Sequence, residues 1–227
     1  MASFVDEDAG YEVVESEPPE LLARNLDSAG HLMAGATAFF FLAFVFAYLY
    51  LRSLNNGGMW KPKGVDASVA WGTVVTACIV VSAVLVRLGL RDHRARRLSA
   101  WRIKGVAALG LGVVALVLQV VAWGQQGFGP SDGGFASVYF GWTAFLFLFV
   151  LGTMFWLETA LATSLRYARL PIPSEPAPGE ASGDTYRTAH DIRDPLSLVR
   201  GELVALSFYW LFLAGVAVLT WVFLYLL

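Results

Sequence analysis

Redox metals in a membrane helix bundle are held by histidine, and sometimes by methionine or cysteine. The sequence offers three histidines, His31, His93 and His190, four methionines and a single cysteine, Cys78. His93 and His190 fall in polar stretches, His31 opens an apolar run, and none stands in the middle of one. Met1, Met33, Met59 and Met154 are scattered along the chain. On this inventory the chain is expected to bind no redox metal of its own. No catalytic, cofactor-binding or metal-binding residue is predicted. Cys78 sits in an apolar run and reads as a small packing residue. One cysteine makes no disulfide within a chain.

Proton transfer or ion transport needs ionisable groups inside the bilayer, where they are costly. Glu158 is the one candidate in the apolar runs. At a helical rise of 1.5 Å per residue it lies roughly 36 Å along from Gly134. That puts it at or beyond the far boundary, as an interfacial carboxylate near Arg166 or as a contact with a neighbouring chain. Gln119 is the other polar group in an apolar stretch, and its amide must find a hydrogen-bond partner. It is expected to bond a neighbouring helix or a lipid headgroup. Asp132 precedes an apolar run and is expected to cap the helix that follows. There is no phosphate-binding glycine loop, no pair of carboxylates at mid-depth, and no nucleophile beside a base. The basic stretch from Arg91 to Lys104 reads as a topology determinant that contacts anionic lipid, and no nucleic-acid partner is expected.

The elements that must position these residues are long and apolar. The chain has 227 residues, 57% hydrophobic and 15% charged, whereas soluble domains carry about 25% charge. Five stretches are long enough to cross a bilayer: residues 31–51, 68–90, 105–124, 134–164 and 203–227. The expected fold is an all-α, polytopic membrane bundle of five transmembrane helices over residues 30–227. Residues 1–29 are acidic and read as a flexible cytoplasmic tail. Residues 166–198 are rich in Pro, Glu, Ser and Gly and read as a cytoplasmic linker. The densest basic loop lies between the second and third spans. By the positive-inside rule that loop and the N-terminus are cytoplasmic, and the C-terminus is outside. The aromatic residues are expected mostly on lipid-facing surfaces and in interfacial belts.

Several motifs, in order, carry a resemblance. Gln119 and Trp123, then Asp132-Gly133, Phe135, Ser137, Tyr139-Phe140, Thr143, Phe145 and Val150, follow the pattern QxxEY, a short loop, then DGxYGSxFFxxTGFHGLHVxxG, without a gap from Asp132 to Val150 and with Gly152 one residue before the pattern's last Gly. Ala47-Tyr48 and Leu51-Arg52 follow a Phe-rich span as in FFxxxFxAYxxLR, and Trp60 and Pro62 fit WPPxG. Tyr209-Trp210, Phe212 and Tyr225 fit YWHFVDxVWxxLFxxxY. These motifs resemble subunit III of the heme-copper oxidases, the cytochrome c oxidase subunit III family, in its short five-helix form. The resemblance is divergent in one direction. Thr37 stands where the family has Glu, Ala122 where it has Glu, Leu146 and Phe149 where it has His, and Leu211 and Ala214 where it has His and Asp.

The resemblance implies an accessory, cofactor-free subunit of a heme-copper terminal oxidase in aerobic respiratory electron transport. Such a chain packs on the catalytic subunit I and other oxidase subunits, with heme and copper in those partners, and binds membrane phospholipid. Tyr48, Arg52, Trp60, Gln119, Trp123, Asp132, Tyr209 and Trp210 become structural or lipid-contact candidates. The lost Glu, His and Asp imply that apolar packing replaces a polar network. The implied location is the plasma membrane of a bacterium. Alternatives are an accessory subunit of a quinol oxidase or nitric oxide reductase and, in another class, a small transporter or scaffold.

Overall fold

The computed structural model describes residues 19–55, 57–167 and 195–227. The predicted tail up to residue 18, most of the predicted linker, and His190 lie outside the described residues. The described chain forms five long helices and no strand. These are α1 (Pro19–Ser53), α2 (Val69–Arg94), α3 (Leu98–Gly124), α4 (Gly134–Tyr167) and α5 (Pro195–Trp221), and a π-helical turn, Val222–Leu226, continues α5. All five are long and apolar enough to cross a membrane, and the chain is a multi-pass helical membrane protein.

Most helices overrun the predicted spans. α1 starts at Pro19 rather than near residue 31, α2 runs to Arg94 rather than 90, α3 starts at Leu98 rather than 105, and α5 starts at Pro195 rather than 203. The reason is physical. Apolarity marks where lipid is tolerated, whereas a helix continues wherever its backbone bonds close, and Arg, Lys, Glu and Leu are good helix formers.

α5 is the most enclosed helix. It packs against α1, α2 and α4, while α2 pairs with α3, and α4 bridges α3 and α1. α1 turns Ala34, Thr37, Phe41 and Tyr48 inward. That spacing places them on one helical stripe. The inward face of α3 is small: Gly105, Ala108, Gly112 and Ala115 are buried. Small side chains let backbones approach closely, which is where membrane helices gain their packing energy. The Leu161 side chain of α4 lies against Gly105, and that of Met154 lies against Gly112.

The aromatic expectation is corrected here. Trp101, Trp142, Trp210, Tyr48 and Tyr139 are among the largest wholly buried side chains. Tryptophan and tyrosine carry a polar handle that can bond across a helix interface, and here many do.

The α2–α3 turn closes on a buried carboxylate. Arg96 takes a left-handed backbone (φ 56°). The amides of Ala95, Arg96 and Arg97 then return to the carbonyls of Arg91, His93 and Asp92. The Asp92 carboxylate, 5% exposed, accepts from Arg97 at 2.7 Å and from Lys104. At the opposite end the 54–68 and 125–133 loops meet. The amides of Gly134 and Phe135 donate to the carbonyls of Met59 and Trp60 at 3.2 and 2.8 Å.

Candidate functional site

The eight residues singled out from the sequence do not converge on one centre. They sit at helix crossings and loop junctions, in three groups.

The first group lies where the two loops meet. Tyr48 is buried beneath Trp60, ring edge to ring face, with centroids 5.1 Å apart, and against Phe223 at 5.4 Å. Arg52, one turn on along α1, reaches the Tyr48 hydroxyl at 3.4 Å. Trp60 is held by its amide, which donates to Asn55 Oδ1 at 3.1 Å, and by the ring of Phe135 at 5.9 Å. Asp132 does not cap α4, as expected from the sequence. Its Oδ2 accepts from the Gly129 amide at 2.7 Å and closes the turn before the helix. The helix start needs no side-chain cap, because the Met59 and Trp60 carbonyls already take its first amides. Gly133 makes this possible. Its φ of 132° is a region that side chains rarely adopt, and a Cβ there would lie 2.7 Å from Pro62 Cδ. Lys61 pairs with Asp66 at 2.8 Å and lies 4.8 Å from the centre of the Phe135 ring. This lysine at the non-basic end thus has a local structural role. An open groove of about 680 Å³ runs between the loops, bordered by Met59, Pro62, Phe128 and Asp132.

The second group lies between α3 and α4. The Trp123 indole donates to Thr143 Oγ1 at 3.0 Å, and Thr143 donates in turn to the Tyr139 carbonyl at 2.7 Å. The Tyr139 hydroxyl receives Gln126 Nε2 at 3.0 Å and the Tyr225 hydroxyl at 3.3 Å. The π-helical turn carries Tyr225, whose ring packs on Gly72 of α2, where any Cβ would collide with it. Gln119 is buried, and its Nε2 has no hydrogen-bond partner. It borders a small cavity with Thr143 and apolar neighbours, among them Val75 and Leu146. The side chain lies beside the Tyr139 hydroxyl of the neighbouring α4.

The third group ties α5 to the rest. Tyr209 and Thr37 share a hydrogen bond at 3.1 Å, joining α5 to α1. The Trp210 indole donates to Ser82 Oγ at 3.1 Å, and Ser82 donates to the Ala108 carbonyl at 2.7 Å. Three helices are thus joined by one side chain of α2. Further along α4, Trp101 donates to Ser164 Oγ at 3.2 Å, and Trp156 donates to Glu202 Oε1 at 3.1 Å.

These bonds revise the expectation that apolar packing replaces the family's polar network. Leu146, Phe149, Ala122 and Ala214 do pack in the interior or against it. Yet the helices remain joined by polar contacts, now indole, hydroxyl and amide groups. Charge enters these contacts between helices only toward the α2–α3 turn end, at Glu202, in the Asp92–Lys104 pair, and in the 3.4 Å bond from Arg102 to the Ser164 carbonyl. Asp92, Ser82 and Ser164 were not among the residues singled out from the sequence. Asp92 could have been found from its cationic neighbours, whereas nothing local distinguishes a serine that bridges helices from one that does not.

His31 stacks on Phe208 with centroids 4.0 Å apart, and its Nδ1 bonds the Asp27 carbonyl at 2.8 Å. His93, expected in a loop, is buried in the last turn of α2 with its ring edge toward Trp101. Among the described residues, no three His, Cys, Asp or Glu side chains cluster as metal ligands would.

The class this geometry defines is a five-helix membrane bundle, cross-linked by tryptophan and hydroxyl side chains. No protein-family model matches the chain, and no curated protein matches it.

Proposed function

We propose that this chain is an accessory, cofactor-free subunit III of a heme-copper terminal oxidase, packed on the catalytic subunit in a bacterial plasma membrane. The observation that carries the reading is the meeting of separate motif stretches at one junction. Tyr48 of the first motif, Trp60 of the second, and Phe135 of the third form a continuous ring contact. The backbone bond from Phe135 to Trp60 fixes it. Residues singled out by sequence pattern at 48, 60 and 135 thus meet in one contact, as a shared structural role in that family would require. The bond between Thr37 and Tyr209 supports the reading at a second crossing. In this role the chain holds its partner's helices and bound phospholipid, while oxygen chemistry belongs to heme and copper in the partner. The N-terminus and the α2–α3 loop are cytoplasmic in this reading, following the arginine distribution.

Affinity isolation of the full chain from its own membranes in mild detergent tests it. The expected result is co-isolated polypeptides with the visible spectrum of reduced heme and a ligand set for copper. A colourless preparation without a heme-bearing partner overturns the proposal. Solute flux through the purified chain in vesicles would favour a transporter instead.

A further inference from the structure

Gln119 is the point where the polar contacts between α3 and α4 stop short. It lies five residues before the last residue of α3, which at the helical rise is about 8 Å inside the helix end. The residue is 8% exposed, and among the described residues no group bonds its Nε2. Hydrocarbon offers no solvent to take up such a group, so an amide left alone there is costly.

Counting donors and acceptors gives the amide a direction. The Tyr139 hydroxyl accepts from Gln126 Nε2 at 3.0 Å and from the Tyr225 hydroxyl at 3.3 Å. A hydroxyl has two acceptor sites and one hydrogen, so only its hydrogen is left to give. The Gln119 amide lies beside it, and only the amide oxygen can receive that hydrogen. Hydrogen bonding decides which end of an amide is the oxygen. Oε1 is therefore assigned to the Tyr139 side, and the N–H groups face away from it.

The same side chain borders a cavity between α2, α3 and α4, with apolar walls that include Ile79, Leu116 and Leu146. Thr143 is the other polar residue on that cavity. Its hydroxyl donates to the Tyr139 carbonyl and accepts from the Trp123 indole, which leaves one acceptor site. The cavity thus has a donor on α3, an acceptor on α4 and hydrocarbon around them. Its volume is about 10 Å³, close to that of one water-sized sphere. A lipid headgroup, an acyl chain or a side chain of another polypeptide is too large for it.

We infer that this cavity is a binding site for one buried water, which accepts from a Gln119 N–H and donates to Thr143 Oγ1. Two polar partners are the fewest that hold a buried water. The water joins α3 to α4 and completes an uncharged line from Gln126 through Tyr139 and Gln119 to Thr143 and Trp123. The inference rests on the interior of the bundle and stands with or without the oxidase reading.

The chain has three glutamines, Gln119, Gln125 and Gln126, so labelling glutamine alone with nitrogen-15 yields three side-chain amide pairs. The full-length chain, otherwise deuterated, is placed in nanodiscs, and magnetisation transfer from water to each pair is measured by NMR. The expected result is direct cross-relaxation between water and the Gln119 pair. The hydrogens of that pair should exchange with solvent about 100-fold more slowly than those of exposed Gln125. Gln119→Leu should remove the pair and so identify it. If that variant fails to fold, Gln125→Ala and Gln126→Ala identify the other two pairs. Thr143→Val should cut the water contact about 5-fold or more, whereas Thr143→Ser, which keeps the hydroxyl, should retain it. A Gln119 pair without water contact, a contact with acyl chains when the lipid is protonated, or an undiminished water contact in Thr143→Val overturns the inference.

Discussion

Trp210 of α5 donates its indole hydrogen to Ser82 of α2 at 3.1 Å, and the same hydroxyl donates to the Ala108 carbonyl of α3. Both side chains are wholly buried. A hydroxyl has one donor and two acceptor sites, so a single serine can satisfy both bonds at once. Ser82→Ala removes the bridge and leaves the indole hydrogen without a partner. The expected destabilisation is about 1–2 kcal/mol. Trp210→Phe combined with Ser82→Ala should cost less than the sum of the two single changes, because the pair shares one bond. Reversible unfolding in mixed detergent micelles measures both. Additive losses would show that the bond contributes nothing of its own.

Asp92 joins Arg97 and Lys104 across the α2–α3 turn. Asp92→Asn should free the turn and leave two cations facing each other without a counter-charge. Amide exchange at residues 95–101 should speed up, while α4 and α5 stay protected. Adding Lys104→Met should recover part of the protection by removing one of the cations. Unchanged exchange in Asp92→Asn would reject this account.

Gly133 combines a backbone that favours glycine with close contact to Pro62. Gly133→Ala should therefore cost roughly 1–3 kcal/mol in backbone strain. It should also disturb the loop junction at Trp60. The loss would appear as a lower unfolding midpoint and a change in tryptophan fluorescence. Gly152→Ala, with open space around it, serves as the control and should leave the isolated chain's midpoint almost unchanged.

In the proposed orientation, which follows the arginine distribution, the α2–α3 turn is cytoplasmic. In a Cys78→Ala background, a cysteine at Asn55 should react with an impermeant maleimide added to intact cells. A cysteine at Arg96 should react only after permeabilisation. The opposite pattern would invert the assigned topology.

The sequence by itself determined the class of this protein. Apolar runs of bilayer length leave no alternative to membrane helices, because backbone groups in lipid must bond within their own segment. It also located the five helices, since hydropathy is a local property. Their ends were less legible. The helix stops at α2 are set by a left-handed residue and a buried carboxylate, and the start of α4 is set by carbonyls from a distant loop. A charged flank does not announce such partners. The tertiary structure alone decided which polar groups pair. Ser82, Ser164 and Thr143 look like ordinary small residues until a tryptophan from another helix arrives at bonding distance. It also decided the register between α3 and α4, which depends on which small residues admit which large ones. Lipid solubility is written residue by residue, whereas hydrogen bonds between helices depend on the relative rotation and translation of whole helices.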